Sequence, residues 1–355
     1  MMNIKNLKTS SLNIIFRALT LGAKLLLSFF LIKYISTEEF GAYGIITKTL
    51  TLAIVLLGLD FYTYSSRNIL QGNVALQGDK IKDQFSFYLL SYLLFLPLLS
   101  LLFVYEIIAW EYFLWFYLLL ILDHFSQELY RVLLVFKKPV IASALFFIKV
   151  GFWILPLFIL WMLGFDELKN LRSILLFWAV FEVVAILFGL YFFWKLPFKI
   201  NFKKKIDWSW IKKGILISSP FFIGTIASNV IEFADIYMIK AQFGDQGDFQ
   251  YGIYSFFVGM GNIVQMFVQS AILIVFAPKL LESFSKDKQK YKKLHKQMSV
   301  QNIGASIFLA LGVFIFLLPL VKYIGKIEIV ENYNLIFLLV GAKYNIALQH
   351  KFKFF

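Results

Sequence analysis

The chain has no cysteine, so disulfide bonds, thiol nucleophiles and thiolate-ligated metals are excluded. It has only 3 histidines, which are scattered along the sequence and predict no metal cluster. Charged residues are also scarce, at 16% of the chain against about 25% in soluble domains. Because 60% of the 355 residues are hydrophobic, the composition is typical of a membrane protein.

Apolar stretches of about 20 residues recur along the whole chain, and this is the length that a helix needs to cross a bilayer. They lack the strict alternation of β-barrel strands. The first stretch is too long for a signal-peptide core and has no small-residue cleavage site, so we expect it to be retained. The sequence therefore predicts an all-α polytopic membrane protein with ten spans, at residues 12–35, 41–60, 85–105, 112–136, 140–163, 173–194, 214–239, 251–276, 303–324 and 333–349.

Basic residues concentrate in alternate loops between these predicted spans. The two most basic segments, 194–213 and 279–297, fall on the same side as the N-terminus, whereas the loops at 36–39 and 244–248 are acidic. The positive-inside rule then predicts a cytoplasmic N-terminus. The net charge of +14 fits this arrangement better than binding to nucleic acid. We expect both basic segments to form short amphipathic helices on the anionic inner leaflet.

An internal repeat links the two halves of the chain. "FLIKYISTEEFGAYGI" at 30–45 is similar to "YMIKAQFGDQGDFQYGIYSF" at 237–256, with a shared Gly-x-Tyr after an acidic loop. Such repeats are typical of secondary transporters, and here both copies run in the same direction. We predict two pseudo-symmetric helical bundles around a central cavity: residues 1–195 with six spans, a basic cytoplasmic linker at 196–213, and 214–355 with about four. The second half is incomplete on this count, so we expect a truncated, frameshifted or divergent end, with a shorter transporter as the alternative.

Two stretches resemble a known family. "STEEFGAYGIITKTLTLAIVLLGLDF" at 36–61 resembles the second-span signature of bacterial polysaccharide-export flippases. "SSPFFIGTIASNVIEFADIYMIKAQFG" at 218–244, with the Gly-x-Tyr that follows, resembles their seventh span. These flippases belong to the multidrug/oligosaccharidyl-lipid/polysaccharide export superfamily. The resemblance covers residues 10–325 and is a pattern of hydropathy and short signatures, so it points to the superfamily more than to a substrate.

The resemblance implies a V-shaped pair of six-helix bundles in the bacterial cytoplasmic membrane. It implies a cargo of oligosaccharide repeat units on undecaprenyl pyrophosphate, for O-antigen, capsule or lipopolysaccharide, flipped to the outer leaflet by alternating access. It implies no enzymatic activity and no cofactor, with H⁺ or Na⁺ as the coupling ion and the polysaccharide polymerase machinery as a candidate partner. The chain departs from the family at Ile236, where the family often has Arg, and in its smaller number of spans.

Four basic residues lie inside predicted spans. Each costs about 2.5–3.5 kcal/mol near the bilayer centre, so we expect them to face protein or a watery cavity rather than lipid. A cationic lumen would bind a pyrophosphate or acidic sugars through charge-assisted hydrogen bonds. The alternative is that the basic groups pair with buried carboxylates. The candidate substrate-binding residues are Arg17, Lys24, Lys48 and Lys149.

Acidic and amide side chains also lie within the spans. Predicted span four carries His124, Glu128 and Arg131 at i, i+4 and i+7, so the three side chains share one helix face. This spacing fits a proton relay or an internal ladder of ion pairs. The candidates for ion coupling or internal pairing are Asp60, Asp123, His124, Glu128, Arg131, Glu182, Glu232 and Asp235. The candidates for sugar contacts, or for hydrogen bonds between helices, are Asn229, Asn262, Gln265 and Gln269.

Three other functions compete with a flippase at this stage. A multidrug exporter of the same superfamily would favour an acidic cavity for cationic drugs, whereas this chain places deep lysines in three helices. A membrane-embedded polymerase or glycosyltransferase would need a catalytic loop or domain, but the predicted outer loops are short and no nucleotide or metal motif is present. An inactive truncated remnant is the third alternative.

Overall fold

The computed structural model describes residues 4–71, 76–262, 276, 280, 283 and 287–336. Over these residues the protein is all-helical and has no strand. Six helical segments are long and apolar enough to cross a membrane, as expected of a multi-pass membrane protein. They are Ile15–Tyr34, Thr37–Gly58, Gln77–Val104, Pro139–Met162, Leu171–Phe193 and Trp208–Asn262.

The helices follow one another with short connections. They are α1 (Ile4–Tyr34), α2 (Thr37–Gly58), α3 (Tyr62–Gln71), α4 (Gln77–Leu99), α5 (Leu101–Val104), α6 (Phe113–Val135), α7 (Pro139–Phe147), α8 (Ile154–Met162), α9 (Leu171–Phe193), α10 (Trp208–Phe243), α11 (247–262), α12 (Lys288–Ile324) and α13 (Ile327–Glu331). A π-helical turn, Ile148–Phe152, joins α7 to α8. Short 3₁₀ turns lie at Trp110–Tyr112, Asp166–Leu168 and Gly244–Gln246.

The predicted spans overlap these helices, but several differ. The predicted span at 85–105 is divided between α4 and α5, and the one at 303–324 lies in α12, where only Ile315–Ile324 is a short apolar segment. The predicted span at 112–136 is α6, a helix that is not among the six most apolar segments because its second half is polar. The predicted span at 140–163 is not one regular helix, because the π-helical turn interrupts it. Pro156 cannot donate a hydrogen bond to the carbonyl of Phe152, which weakens the α-helical pattern at that turn. The predicted span at 333–349 lies almost wholly outside the described residues, as does the end of 251–276.

Helices α6, α7 and α9 pack closely against one another. Leu129 and Leu133 of α6, Leu145 of α7 and Ala185 of α9 are buried together. Gly189 of α9 lies where a Cβ atom would come within 2.7 Å of the Leu145 side chain and 3.0 Å of the Leu129 side chain. The small residue therefore lets α9 approach both neighbours closely, as is usual at helix contacts in membranes.

The acidic loops that are predicted to lie on one side of the membrane contact one another at one end of the bundle. Glu39, which forms a capping box with Ser36 at the start of α2, also accepts a hydrogen bond from the Leu171 N–H at 3.0 Å. Arg172 pairs with Glu111 at 2.9 Å, and Lys240 pairs with Asp248 at 2.7 Å. Lys240 also donates to the carbonyls of Glu106 and Ile107.

The opposite end collects basic loops. The segment 195–207 is irregular, so the short amphipathic helix expected there is wrong, and ion pairs hold the segment against the start of α4 instead. Lys204 pairs with Asp79 at 2.8 Å, and Lys80 with Asp207 at 2.9 Å. The hydrogen bond from Lys80 holds the pKa of the Asp207 carboxyl below its ordinary value. Basic residues within 288–296 form the first turns of α12, a 37-residue helix, and not a separate short one.

The chain divides into two compact units. One comprises residues within 1–27 and 34–251, and the other comprises residues within 28–33 and 252–355. The boundary between the two compact units lies near residue 251, whereas the sequence predicts the linker between two helical bundles at 196–213. The first unit contains the contacts between loops just described, and it holds all of the site residues discussed below except Asn262, Gln265 and Gln269.

A close backbone approach at the basic end can be tested through Gly78. A Cβ atom there would overlap the carbonyl oxygen of Lys199, so Gly78→Ala must push the 195–207 segment away from α4. We expect a loss of about 1–3 kcal/mol, seen as a lower thermal midpoint of the purified protein in detergent. Gly22→Ala is the control, because nothing lies within 4 Å of a Cβ atom at that helical position. Equal midpoints for Gly78→Ala and the parent would contradict this close approach.

Candidate functional site

Helix α1 has two exposed faces of opposite character. Leu12, Ile15, Leu19 and Leu26 are each about half exposed and form an apolar stripe. Arg17 and Lys24 are also exposed, seven residues apart. At 100° per residue, the two cations lie about 160° around the helix from the apolar stripe. The apolar stripe suits lipid, whereas the basic stripe, Arg17 and Lys24, suits water or a polar ligand.

The less buried side of helix α2 is polar over the first half of the helix and apolar further along, where Val55 lies one turn after Thr51. That side carries Gly44, Thr47, Lys48 and Thr51, with Lys48 half-buried and Thr51 exposed. The two threonine hydroxyls donate to the carbonyls of Gly44 and Thr47 at 2.9 Å. A lipid-facing side of a membrane helix would be apolar, so this side also suits a polar space.

Lys149 differs from the other deep cations because it is enclosed. It lies in the π-helical turn and is only 5% exposed. It forms an ion pair with Asp123, donates to the Ser126 hydroxyl at 2.9 Å and lies 3.9 Å from Glu182. We call Asp123, Ser126, Lys149 and Glu182 the lysine cluster. One lysine faces two carboxyl groups in it, so the pairing alternative considered for the basic residues describes the surroundings of Lys149.

The lysine cluster connects three helical segments. Asp123 and Ser126 belong to α6, Lys149 to the π-helical turn and Glu182 to α9. The Ser126 hydroxyl donates to Glu182 at 2.7 Å while it accepts from Lys149. Next to Lys149, Gly151 brings the π-helical turn against α1, where a Cβ atom would lie 3.2 Å from that of Ala23. Lys24 interacts electrostatically with both Asp123 and Lys149, so the basic stripe of α1 borders the cluster.

A second buried cluster lies one turn further along α6. Glu128 is fully buried and receives hydrogen bonds from Gln84 at 2.8 Å, from Tyr88 at 2.9 Å and from Arg131. His124 lies with its Nε2 4.0 Å from a Glu128 oxygen. We call Gln84, Tyr88, His124, Glu128 and Arg131 the arginine cluster.

Tyr92 extends the arginine cluster along α4. Its hydroxyl lies 2.7 Å from the Nδ1 atom of His124. The Arg131 guanidinium also stacks 3.7 Å from the centre of the Tyr62 ring, so α3 joins α4 and α6 at this point. Sequence reasoning identified the three α6 residues but missed the partners on α4. Gln84, Tyr88 and Tyr92 are spaced at i, i+4 and i+8, which is the pattern that could have revealed them.

Asp60 and Asn229 line one cleft of about 480 Å³ between the corner that follows α2 and the middle of α10. Asp60 is buried, and Asn229 is half-buried and donates to the Thr225 carbonyl at 2.8 Å. Asp235 is half-buried two turns further along α10. Glu232 belongs to the same helix, but its side chain lies outside the described part of the structure.

The remaining predicted sugar-contact residues fall in or beyond α11. Asn262 is half-buried at the last described residue of that helix. Gln265 and Gln269 lie outside the described residues, so their predicted role stays a prediction. The structure thus brings together Asp123, Lys149 and Glu182, and separately His124, Glu128 and Arg131. It places Asp60 with Asn229 in a third location.

Comparison with known proteins adds no family assignment. No family model matches the sequence. No curated protein matches it, and no solved structure matches it. The resemblance to polysaccharide-export flippases therefore rests on the short signatures alone.

The lysine cluster predicts a strong stability effect. Lys149→Met leaves Asp123 and Glu182 without their cation, and we expect a loss of about 3–5 kcal/mol, because removal of one partner strands buried charge. Adding Asp123→Asn and Glu182→Gln to Lys149→Met should recover much of that loss. The measurement is thermal unfolding of the purified protein in detergent.

The control for this experiment is Lys169→Met. Lys169 also pairs with an aspartate, Asp166, but that carboxylate is 78% exposed, so the change should cost no more than about 1 kcal/mol. If the Lys149 and Lys169 variants melted alike, the lysine cluster would not be holding α6, the π-helical turn and α9 together.

Proposed function

We propose that the protein is a flippase for an anionic, lipid-linked oligosaccharide. In this proposal the cargo is a short glycan on undecaprenyl pyrophosphate, moved from the inner to the outer leaflet of the bacterial cytoplasmic membrane by alternating access. The observation that carries the proposal is the position of the basic stripe. Arg17 and Lys24 are exposed on the side of α1 that lies opposite its apolar stripe.

The energetics of the bilayer connect this stripe to a polar lumen. A lysine that faces lipid near the midplane costs about 2.5–3.5 kcal/mol, and Lys24 lies about 18 Å along the helix from residue 12, the start of the predicted span. A polar space on that side of α1 removes this cost. The polar side of α2, with Lys48 and Thr51, is a second helix surface that needs the same kind of environment.

The charge of the stripe favours an anionic cargo. Lysine and arginine bind phosphate oxygens through charge-assisted hydrogen bonds, which are about twice as strong as neutral ones. A cationic drug would meet repulsion from Arg17 and Lys24, whereas a pyrophosphate would be attracted. Together with the flippase-like signatures at 36–61 and 218–244, this supports a lipid-linked glycan over a multidrug substrate.

The two buried clusters have a different part in this proposal. The lysine and arginine clusters hold α4, α6, the π-helical turn and α9 as one body. The hydrogen bond from Gln84 to Glu128 joins α4 to α6, the one from Ser126 to Glu182 joins α6 to α9, and the ion pair of Lys149 with Asp123 joins the π-helical turn to α6. Such a body suits rocking-bundle transport, in which a helical unit moves without internal rearrangement. We therefore place cargo contacts on Arg17, Lys24 and Lys48, and we assign Lys149 to the support of the lumen wall.

The cargo prediction is tested in a host that lacks its own copy of the transporter. Lys24→Ala should reduce surface polysaccharide at least tenfold and cause undecaprenyl-linked repeat units to accumulate, whereas Lys24→Arg keeps the charge and should retain export. Lys138→Ala is the control, because Lys138 is exposed in a loop. All variants must reach the membrane at parental levels.

Two outcomes of this experiment would count against the proposal. Full export by Lys24→Ala would remove the basic stripe from the mechanism. A parental chain that reached the membrane without restoring export would show that it is not a working flippase for this cargo.

The orientation is tested by reporter fusions. A green fluorescent protein fused after Lys205 should fluoresce, because it folds to its fluorescent form in the cytoplasm and the basic end is predicted to lie there. The matched fusion after Gln246, in the acidic turn between α10 and α11, should stay dark and should be active as an alkaline phosphatase fusion instead. The reverse pattern would place the N-terminus outside.

A further inference from the structure

A groove of about 560 Å³ lies between α4 and α9 of the first compact unit. Helix α6 forms its floor, where Glu128 and Leu129 are buried, whereas Leu89 of α4 and Trp194 after α9 are 64% and 65% exposed at its edges. The segment 195–207 closes the groove at the basic end of the bundle. The groove therefore opens sideways along the surface of the bundle, which is where lipid surrounds a membrane protein.

The lining of this groove is mostly apolar, and its volume is in the usual range for ligand pockets. Polar groups of the arginine cluster that border the floor bond to one another. Glu128 accepts from Tyr88 at 2.9 Å, and the Tyr92 hydroxyl lies 2.7 Å from Nδ1 of His124. An apolar occupant is favoured, because it removes the walls from water. The largest apolar wall residues are Phe85, Leu89, Phe125, Leu190, Phe193 and Phe202.

The length of the groove matches the depth of one leaflet. Lys82 and Tyr92 of α4 both line it, one near each end. Ten residues of helix span about 15 Å, which is half of a hydrocarbon core about 30 Å thick. One acyl chain of a phospholipid spans this same half, because each leaflet supplies half of the core. An undecaprenyl chain is much longer, so the groove does not fit the proposed cargo.

The closed end of the groove is strongly basic. Lys82 and Lys204 line it there. Segments 79–83 and 195–207 together carry seven lysines and three aspartates, which leaves a net charge of +4. The Lys204 side chain is 49% exposed even while it pairs with Asp79 at 2.8 Å. Because an ammonium group has three N–H donors, Lys204 can bind a second anion at the mouth of the groove.

We propose that this groove binds an anionic phospholipid from the leaflet at the basic end of the bundle. One acyl chain lies between α4 and α9, and the phosphate group lies at Lys204, to which it offers charge-assisted hydrogen bonds. Lys82 donates to the main-chain carbonyls of Asn201 and Lys204, so it holds the segment that carries the phosphate ligand. Basic pockets between membrane helices are typical sites for anionic lipid head groups.

This proposal is more specific than a general attraction of basic loops for an anionic membrane surface, since the groove selects by acyl chain as well as by charge. It also goes beyond the proposed cargo, because this lipid carries no glycan and is bound without being transported.

The test is native mass spectrometry of the purified full chain, delipidated in detergent and titrated with phosphatidylglycerol. Phosphatidylcholine with the same acyl chains is the comparison lipid, because its head group is zwitterionic. We expect the parent to retain one phosphatidylglycerol at least fivefold more strongly than one phosphatidylcholine. Soluble glycerol phosphate, which has the anionic group but no chain, should not displace the bound lipid.

Two matched pairs of variants locate the binding site. Leu89→Trp fills the groove and should weaken phosphatidylglycerol binding at least fivefold, whereas Leu93→Trp should not, because Leu93 is 76% exposed one turn further along α4. Lys204→Gln should abolish the preference over phosphatidylcholine, whereas Lys138→Gln, at an exposed lysine after α6, should keep it. Monodispersity on size exclusion verifies the fold of each variant, and the Leu89 pair decides the test if Lys204→Gln fails to fold.

Several results would overturn the inference. Equal binding of the two phospholipids by the parent would indicate ordinary contact with surrounding lipid, and equal binding of phosphatidylglycerol by the Leu89 and Leu93 variants would place any lipid site elsewhere. Displacement by glycerol phosphate would identify a simple anion site. Displacement by undecaprenyl phosphate at a lower concentration than by phosphatidylglycerol would make the groove part of the cargo pathway. Failure of the glycan-export assay alone would leave phospholipid binding intact, so the two proposals fail separately.

Discussion

The cost of placing charge in hydrocarbon organises the first compact unit of this protein. Two sets of described basic residues inside the spans meet this cost in different ways, one by pairing with buried carboxylates and the other by lying on the side of its helix away from an apolar stripe. Lys149 follows the first course, enclosed with Asp123, Ser126 and Glu182. Arg17 and Lys24 follow the second, opposite the apolar stripe of α1. The buried ion pairs fix the arrangement of α4, α6, the π-helical turn and α9, and the exposed basic residues of α1 are the basis of the proposed lumen.

Buried charge pairs and exposed basic residues therefore contribute differently to the bundle. Buried pairs are poor contributors to net stability, but they fix which helices meet and in which register, since a mismatched pair strands a charge. Exposed basic residues such as Arg17 contribute less to the register of the helices. The proposed flippase would use both properties, a wall that keeps its shape and a surface that binds and releases cargo.

Much of the fold follows from sequence alone, because the bilayer permits so few structures. Hydropathy located the helices, and the alternation of basic and acidic loops is matched by the contacts at the two ends of the bundle, Lys80 with Asp207 at one and Arg172 with Glu111 at the other. Other features depend on tertiary contacts. Asn201 and Lys204 bond to Asp79 at the start of α4, which holds 195–207 in an irregular path where composition favoured a helix.

The site shows the same limit. Lys24 and Lys149 look alike in sequence, as single lysines in the middle of apolar stretches, and only the structure separates the exposed one from the enclosed one. Asp123 and Lys149 are 26 residues apart, and Gln84 and Glu128 are 44 apart, so no local pattern predicts these pairs. The left-handed backbone at Leu59 and Asp60 also cannot be predicted from the sequence, because neither position has the glycine that is typical of that conformation.

The polarity of α6 has a consequence for how the chain is made. This helix is the one through which both buried clusters are built, and it is not among the six segments that are long and apolar enough to cross a membrane. Its partners Lys149 and Glu182 lie further along the chain, so they leave the ribosome after α6 does. A nascent α6 that entered lipid alone would carry Asp123 without Lys149, whereas Glu128 already has Arg131 in the same helix and Gln84 and Tyr88 on the preceding α4. We therefore expect α6 to integrate stably together with the π-helical turn, because Lys149 supplies the cation that Asp123 lacks.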